Sequence, residues 1–521
     1  MNAPADQHPV TDPAALALLA DDLRTVGYTV EGVEDVLGPV ASAALHREEP
    51  LPARRATAGL VADAPGERVA TLVRAFLLGS SVRRDAVDRA LPTLGVAGAV
   101  RLGLLAAAGR GDSDEVRARV DLRPYAAFDG GGAVDWWIAS DLGELATGGA
   151  LRTDHVLGVG GASTTLAQVT VRDPRERVLD LGTGCGIQAL HASRHAAAVV
   201  GTDISARALG FARFNAALAG LGDDRLTLRL GSMLEPVAGE QFDLVVSNPP
   251  FVITPRVEGV PAYEYRDGGQ AGDAIVRELV EGVGAVLAPG GVAQLLGNWE
   301  VRRGEDWSER IGTWVEASGL DAWVVQRELQ DPAQYAETWI RDGGTTPDRD
   351  RAAWDARYGA WLDDFASRDV EAIGFGIVTL RRPLSGPPTL RRLEEVTGSV
   401  RQPLGPVVSA VLAAHDALDR LDDDALAATH LTVAPDVTEE RYLTPGAADP
   451  QVVLLRQGGG FGRAVQAGTA LAGFVGACDG ELSAGQIIGA LGALLGVPAA
   501  DVAADVLPDV RGLVRDGLLL T

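Results

Sequence analysis

From residue 14 to about 120, apolar clusters recur at helical spacing between charged positions, as in Ala70-Thr-Leu-Val-Arg-Ala-Phe-Leu-Leu78. This pattern predicts a small helical domain over 1–120. After Val120 the texture changes. Asp121-Leu-Arg-Pro-Tyr125, Trp136-Trp-Ile-Ala139 and the glycine clusters around them predict short strands and turns, a β-rich connector and cofactor cover over 121–170. Between Arg177 and Arg382, short apolar runs alternate with helical stretches. The runs begin at Val178, Ala198, Leu226, Phe242, Gly291, Ala322 and Ile373. Such alternation predicts an α/β domain over 171–385, with a mainly parallel sheet covered by helices on both faces. The last run completes the sheet after a polar, Trp-bearing insertion from about 330 to 370. Pro383 to Pro388 marks a boundary. A helical linker is expected over 386–430, and a terminal domain over 431–521 with a Gly458-Gly-Gly turn and two amphipathic helices.

Composition narrows the classes. The chain has 521 residues and a formal net charge of −25, and all 46 of its basic residues are arginine. Lysine chemistry, whether as base or Schiff base, is therefore absent. An acidic chain has no general field for nucleic acid. The charge is uneven, with 13 Arg against 16 acids in residues 1–120 and 33 against 55 in the remainder. Arg54, Arg55, Arg83, Arg84 and Arg89 are candidate phosphate contacts, or simply solvated helix faces. Two cysteines, Cys185 and Cys478, make neither a disulfide framework nor a cysteine zinc site. His191 and His195 share a helical spacing but lack further ligands, so they read as helix-surface residues and no metal is expected. No apolar run is long enough to span a membrane, and the start of the chain has no secretory pattern, which predicts a cytoplasmic protein.

The chemistry concentrates in Val178-Leu-Asp-Leu-Gly-Thr-Gly-Cys-Gly-Ile187. A buried strand ends at Asp180, and Gly182, Thr183, Gly184 and Gly186 turn the chain into a helix. Glycines are needed there because a Cβ would hold a ligand off the backbone. A dinucleotide fold would prefer Gly-x-Gly-x-x-Gly. The tighter Gly-x-Gly-x-Gly spacing suits S-adenosylmethionine, which offers a carboxylate and an ammonium in place of a pyrophosphate. Asp180 is the candidate partner of that ammonium. Asp203, 23 positions on and followed by Ile204, is placed to accept the ribose hydroxyls. Ser232 and Met233, after the third strand, are candidate contacts for the adenine amine and face.

The fourth strand ends in Asn248-Pro249-Pro250-Phe251. Two prolines fix φ and stop the ladder, so Asn248 is held in a rigid corner. Its side-chain oxygen and the Pro249 carbonyl can accept both hydrogens of one NH2 group, turning the nitrogen lone pair towards the methyl donor. Phe251 is the candidate stacking face for a planar substrate. The sulfonium methyl is already activated, so alignment is the main demand. Tyr263, Tyr265 and Arg266, in Tyr263-Glu-Tyr-Arg-Asp-Gly-Gly269, are candidate substrate grips on a glycine-hinged lid or a plain surface loop.

On Asp180-Leu-Gly-Thr-Gly-Cys-Gly186, Asp203 and Val246-Ser-Asn-Pro-Pro-Phe251, the stretch from about Thr153 to Arg382 resembles the small-domain methyltransferases. That group acts on release-factor glutamine, ribosomal-RNA guanine N2 and N6 of adenine. The resemblance implies a Rossmann-like, seven-stranded sheet with a reversed final hairpin and S-adenosylmethionine as cofactor. It also implies that the segment carrying Ser163 and Thr164 folds over the cofactor. The group's usual Asp at the adenine position is Ser232 here. The glutamine branch usually carries Tyr after Pro-Pro, so Phe251 leans towards the nucleic-acid branches.

The C-terminal stretch is similar in texture to winged-helix, PqqD-like peptide-binding units. It carries few Arg, which favours packing against the catalytic domain or a protein segment over DNA. The sequence thus points to an S-adenosylmethionine-dependent N-methyltransferase acting on a base in RNA or DNA, with a protein glutamine amide or a small molecule as alternatives. A non-catalytic interaction protein is the remaining class. Oligomeric state stays open.

Overall fold

The computed structural model describes residues 8–521 apart from Val61, Ala108, Arg110, Asp112, Ser113 and Ala150. Met1 to Gln7, in the polar N-terminal stretch, lie outside the described residues. The chain forms two compact units, 1–167 with 174–395, and 168–173 with 396–521.

In the first unit, short helices open the chain. Asp12 caps the helix Pro13–Val26 by accepting from the backbone N–H of Ala14 and Ala15. This part is not helical throughout: Val82–Arg83, Leu105–Ala107 and Glu115–Ala118 make a small three-stranded sheet. Asp121–Asp129 and Gly132–Ser140 then pair as an antiparallel hairpin. The fully buried Tyr28 joins the two, its hydroxyl donating to the Leu122 carbonyl while its own carbonyl accepts from the Trp137 indole.

The central sheet has eight strands. Numbered within it, they are β1 (Arg175–Leu181), β2 (Ala196–Asp203), β3 (Leu226–Leu230), β4 (Phe242–Ser247), β5 (Leu287–Arg302), β6 (Asp321–Gln330), β7 (Val370–Arg381) and β8 (Arg391–Glu395). Their order is β8-β6-β7-β5-β4-β1-β2-β3. All neighbours are parallel except β7, which is antiparallel to β5 and β6. The seven apolar runs of the sequence supply β1 to β7. The eighth strand corrects both the expected strand number and the helical reading of its residues. Arg-Arg-Leu-Glu-Glu has no apolar run to announce it. The edge of β6 recruits it instead: the Asp321 carboxylate accepts from the N–H of Thr389 and Leu390, and the Trp323 indole donates to Glu394.

The helix α1 (Gly161–Val169) precedes β1, and α2 (Ile187–Ala192), α3 (Ala206–Leu218), α4 (Ala274–Gly282) and α5 (Trp307–Ser318) pack on the sheet. One face of the sheet buries Phe242, Val276, Leu279, Leu287, Trp299 and Trp314 in a common core. Burying a side chain of that size contributes roughly 1.5–3 kcal/mol. The insertion before β7 folds as α6 (Pro332–Asp342) and α7 (Arg351–Ala366), capped by Asp331 and Asp350. Tyr335, Trp354, Trp361 and Phe365 from these helices form a second core with Val252 and Ile253.

His191 is not a surface residue. It is fully buried on α2, with Nδ1 2.7 Å from the Asp129 carboxylate and Nε2 3.0 Å from the Tyr125 hydroxyl. Burial of an imidazole requires such partners, and here they fasten the hairpin to the helix that begins at the glycine turn.

The second unit has a three-stranded sheet of Asp479–Ser483, His430–Val433 and Leu519–Leu520, and a separate meander of Val437–Tyr442, Val452–Gln457 and Ala464–Gln466. Thr469–Gly476, Ala484–Leu495 and Ala499–Arg515 enclose a core around Phe474, Ile487 and Val510. Ser483 and Gln486 close a capping box on the middle helix. Among the described residues no helix is long and apolar enough to cross a membrane.

Candidate functional site

A cavity of about 350 Å³ opens at the C-terminal ends of β1 to β4, the edge where open parallel sheets bind ligands. Its floor is the glycine turn. The N–H groups of Gly182 and Thr183 both donate to the Thr202 carbonyl, at 2.9 and 2.8 Å, so the turn is locked to β2. Gly182 and Gly184 have φ of 72° and 55°, and a Cβ on either would meet no protein atom within 4 Å. The missing side chains therefore leave open cradle. Gly186 serves packing instead. A Cβ there would lie 3.1 Å from Ala212, so this glycine lets α2 and α3 approach closely and does not line the cavity.

Asp203 closes β2 and lines the cavity with Ile204. One carboxylate oxygen accepts from Gly184 N–H at 2.9 Å and the other from Ser205 N–H at 2.8 Å. Burial raises its pKa, and the backbone donors oppose that shift. Each oxygen keeps a lone pair for a further donor. Ser232 and Met233 form the next wall. Met233 holds a left-handed φ of 46°, a conformation that costs a long side chain energy and tends to cluster at ligand clamps.

Asp180 does not reach the cavity. Its carboxylate is buried beneath the turn, accepting from the Thr183 hydroxyl at 2.6 Å and from Ala189 N–H at 2.8 Å. It braces the turn instead of meeting a ligand ammonium. Burial is the dominant cause that lifts its pKa to about 7. A raised folded-state pKa contributes stability in full below the unfolded value near 4, and that contribution is lost as pH rises through about 7. The melting temperature is thus expected to drop by several degrees between about pH 5 and pH 8, and Asp180→Asn is expected to flatten that drop. Scanning calorimetry across that range checks it, and a slope unaltered by the substitution would refute it.

The chemistry corner follows β4. The Ser247 hydroxyl donates to the Leu181 carbonyl at 2.8 Å, tying the ends of β4 and β1 together. Asn248, Pro249 and Pro250 line the cavity beside the glycine turn. The Asn248 side-chain oxygen is buried and has no hydrogen-bond partner among the described residues. A buried acceptor left unmade costs about 1–3 kcal/mol, so this one is set for a donor from outside the chain. Phe251 does not line the cavity. Its ring packs between the two apolar cores, and its backbone bridges Asp267.

The roof comes from two segments. His155 to Gly158 and Ser163 form one; Ser163 lines the cavity, whereas Thr164 is exposed and its hydroxyl donates to the Gly160 carbonyl. Glu264, Tyr265 and Asp267 to Gln270 form the other, joined to the first by Glu264 N–H donating to the Thr153 carbonyl and by the edge contact of His155 with Tyr265. Of the expected grips, only Tyr265 lines the cavity. Tyr263 and Arg266 are buried against the end of α6, where the Tyr263 hydroxyl donates to the Gly343 carbonyl and Arg266 pairs with Asp342. The segment is thus pinned, because the α6–α7 insertion supplies the partners. The same insertion supports the corner: the Tyr335 hydroxyl accepts from Ile253 N–H at 3.0 Å and from the Asn298 amide at 2.8 Å.

Sequence reasoning passed over His155, Glu264 and Asp267 as lining residues, although Asp267 stands next to Arg266 in the same motif. It also passed over Asn215, which ties α3 to the hairpin at Ala139 and to the glycine turn at the Cys185 carbonyl. Among the described lining residues, the charged side chains are the acids Asp203, Glu264 and Asp267, and none is arginine.

The model of the methyltransferase small domain matches residues 158–313. Residues 25–119 match a domain of unknown function (DUF7059). The chain is 36% identical over 165 residues to a release factor glutamine methyltransferase of Xylella fastidiosa, covering 30% of this chain and 56% of that protein. It is 31% identical over 194 residues to a ribosomal protein uL3 glutamine methyltransferase of Bradyrhizobium diazoefficiens, covering 35% and 59%. The chain therefore spans little more than half the length of these curated relatives. A solved 16S rRNA N2 G1207 methyltransferase of T. thermophilus, in complex with AdoMet and guanosine, superposes at 18% identity with a TM-score of 0.26, covering 46% of this chain and 58% of that one. The cradle, the acid on β2 and the partnerless Asn248 oxygen fit S-adenosylmethionine and an N–H acceptor side by side.

Proposed function

We propose that the protein methylates a planar nitrogen carrying two hydrogens, with S-adenosylmethionine as donor, and that the acceptor is a side-chain amide of a protein. The observation that carries this reading is the buried, partnerless oxygen of Asn248 at the rim that also holds the glycine turn. When bound, S-adenosylmethionine supplies a methyl group already activated by the sulfonium. The open space over Gly182 and Gly184 would take its amino-acid end, where the N–H groups of residues 182 to 184 already donate within the chain and a backbone carbonyl is what remains to meet the ammonium. Asp203 would accept the ribose hydroxyls, and Ser232 and Met233 would meet the adenine. Asn248 accepts one N–H of the acceptor, and the Pro249 carbonyl accepts the other. That geometry turns the nitrogen lone pair out of its plane, towards the donor. Alignment of this kind is worth several orders of magnitude in rate.

The amide reading draws support from the glutamine methyltransferases among the relatives and from a cavity wall whose charged residues are acids. A base in RNA or DNA is the second reading, favoured by Phe251 in the place where the glutamine branch carries Tyr. In the same reading, residues 431–521 are a winged-helix-like module for a protein segment, and the protein works in the cytoplasm. Methyl-labelled S-adenosylmethionine incubated with lysate of a strain lacking the protein tests the proposal. Label is expected in protein, at glutamine. Label in nucleic acid sinks the amide acceptor, and failure of the protein to bind the donor sinks the whole reading.

A further inference from the structure

The motif Tyr263-Glu-Tyr-Arg-Asp-Gly-Gly269 presents to the cavity an acid, not its arginine. Asp267 lines the wall, and its side chain is only 2% exposed. One carboxylate oxygen pairs with Arg256, which is itself anchored through its Nε to the Gln270 carbonyl at 3.0 Å. The other oxygen is buried and has no hydrogen-bond partner among the described residues. An isolated antiparallel bridge sets Asp267 directly opposite Phe251, three positions beyond Asn248. Val252 N–H reinforces that pairing by donating to the Arg266 carbonyl at 2.9 Å. Three cavity-lining residues thus carry a buried oxygen with no hydrogen-bond partner among the described residues: the Thr202 hydroxyl, which could itself donate, and the side-chain oxygens of Asn248 and Asp267, which lie on paired segments. Buried polar groups are normally satisfied, and the Asn248 and Asp267 oxygens point to a ligand that brings the hydrogens.

We propose that Asp267 is a second acceptor-binding residue, which recognises an NH2 group on a neutral or cationic carbon centre and takes up the proton released on methylation. This inference rests on the methyltransferase reading of the site and narrows its substrate. Asn248 and Asp267 hold the nitrogen from two sides, and Arg256 fixes the carboxylate so that only one oxygen is offered. As the nitrogen–carbon bond forms, the sulfur–carbon bond breaks and the sulfonium becomes a neutral thioether. The methylated nitrogen then gives one proton to the free Asp267 oxygen, which passes it to water. A phosphate-bearing group near this wall would meet Asp267 and Glu264, so the arrangement selects against an anionic acceptor.

Two donor analogues test this without a known substrate. Sinefungin carries an ammonium where S-adenosylmethionine carries its sulfonium methyl, whereas S-adenosylhomocysteine carries nothing there. Calorimetry on the full chain is expected to show tighter binding of sinefungin, and Asp267→Asn is expected to cut that preference about tenfold or more. Binding of S-adenosylhomocysteine should stay within about twofold. Asp267→Ser serves as a second variant should the amide perturb folding. An unchanged sinefungin preference in both variants overturns the proposal, as does an equal loss of both ligands, which would make Asp267 a cofactor or folding residue. If the wild type binds neither analogue, the donor-site reading itself fails, a result distinct from failure of Asp267 alone.

Discussion

Asn248→Ala is expected to lower methyl incorporation by at least about 100-fold while leaving the affinity for S-adenosylhomocysteine nearly unchanged. The size follows from comparable losses when one positioned polar group facing a reacting centre is removed. The selectivity follows from the structure. The Asn248 oxygen bonds nothing among the described residues, so its removal breaks no internal hydrogen bond there. Deleting an unsatisfied buried acceptor even removes a local cost, and the melting temperature should hold or rise slightly. The glycine turn and Asp203 stay intact on neighbouring strands. The check is single-turnover incorporation of label alongside calorimetry. An inactive variant that also fails to bind S-adenosylhomocysteine would mean that Asn248 holds the donor and not the acceptor, and retained turnover would remove it from the chemistry altogether.

Gly184→Val is expected to weaken cofactor binding by more than about 100-fold, for two reasons that add. The residue sits at φ 55°, where a β-branched side chain is an outlier. Its side chain would also project into open cradle, where no protein atom lies within 4 Å, and so occupy the space of the ligand's amino-acid end. A control separates the two. Gly220 is also left-handed, at φ 79°, with nothing near its Cβ, and it is not among the residues lining the cavity. Gly220→Ala should lower stability by roughly 1–2 kcal/mol and leave S-adenosylhomocysteine affinity alone. If both variants lose the ligand equally, backbone strain explains the effect and the cradle is not where the donor sits.

The parts of the site legible in the sequence are those in which local chemistry is enough. Gly182 and Gly184 announce a left-handed turn because few other residues adopt it, and the two prolines after Asn248 announce a rigid corner because they cannot continue a strand. Asp203 is legible because it ends an apolar run at the right distance from the turn. Asp180 is the instructive counterexample. Its position in the motif is the same whether it faces a ligand or braces the turn. Only Thr183 and Ala189, brought beneath it by the start of α2, decide for the brace. Phe251, Tyr263 and Arg266 lie in segments that border the cavity, yet the α6–α7 insertion draws them into apolar packing and ion pairs of its own.

The amino-acid order by itself determined the alternation of strand and helix, the seven runs that make β1 to β7, the cradle and the asparagine corner, because each of these is written in periodicity or in residues with restricted φ. The tertiary structure alone decided that Arg391–Glu395 adds an eighth strand, that His191 is buried against Asp129, and that Asp267 rather than Arg266 lines the cavity. The physical reason is common to all three. An edge strand, a buried imidazole and a cavity wall are each defined by partners far away in the chain, and a side chain's role passes from its own chemistry to that of whatever the fold sets opposite it.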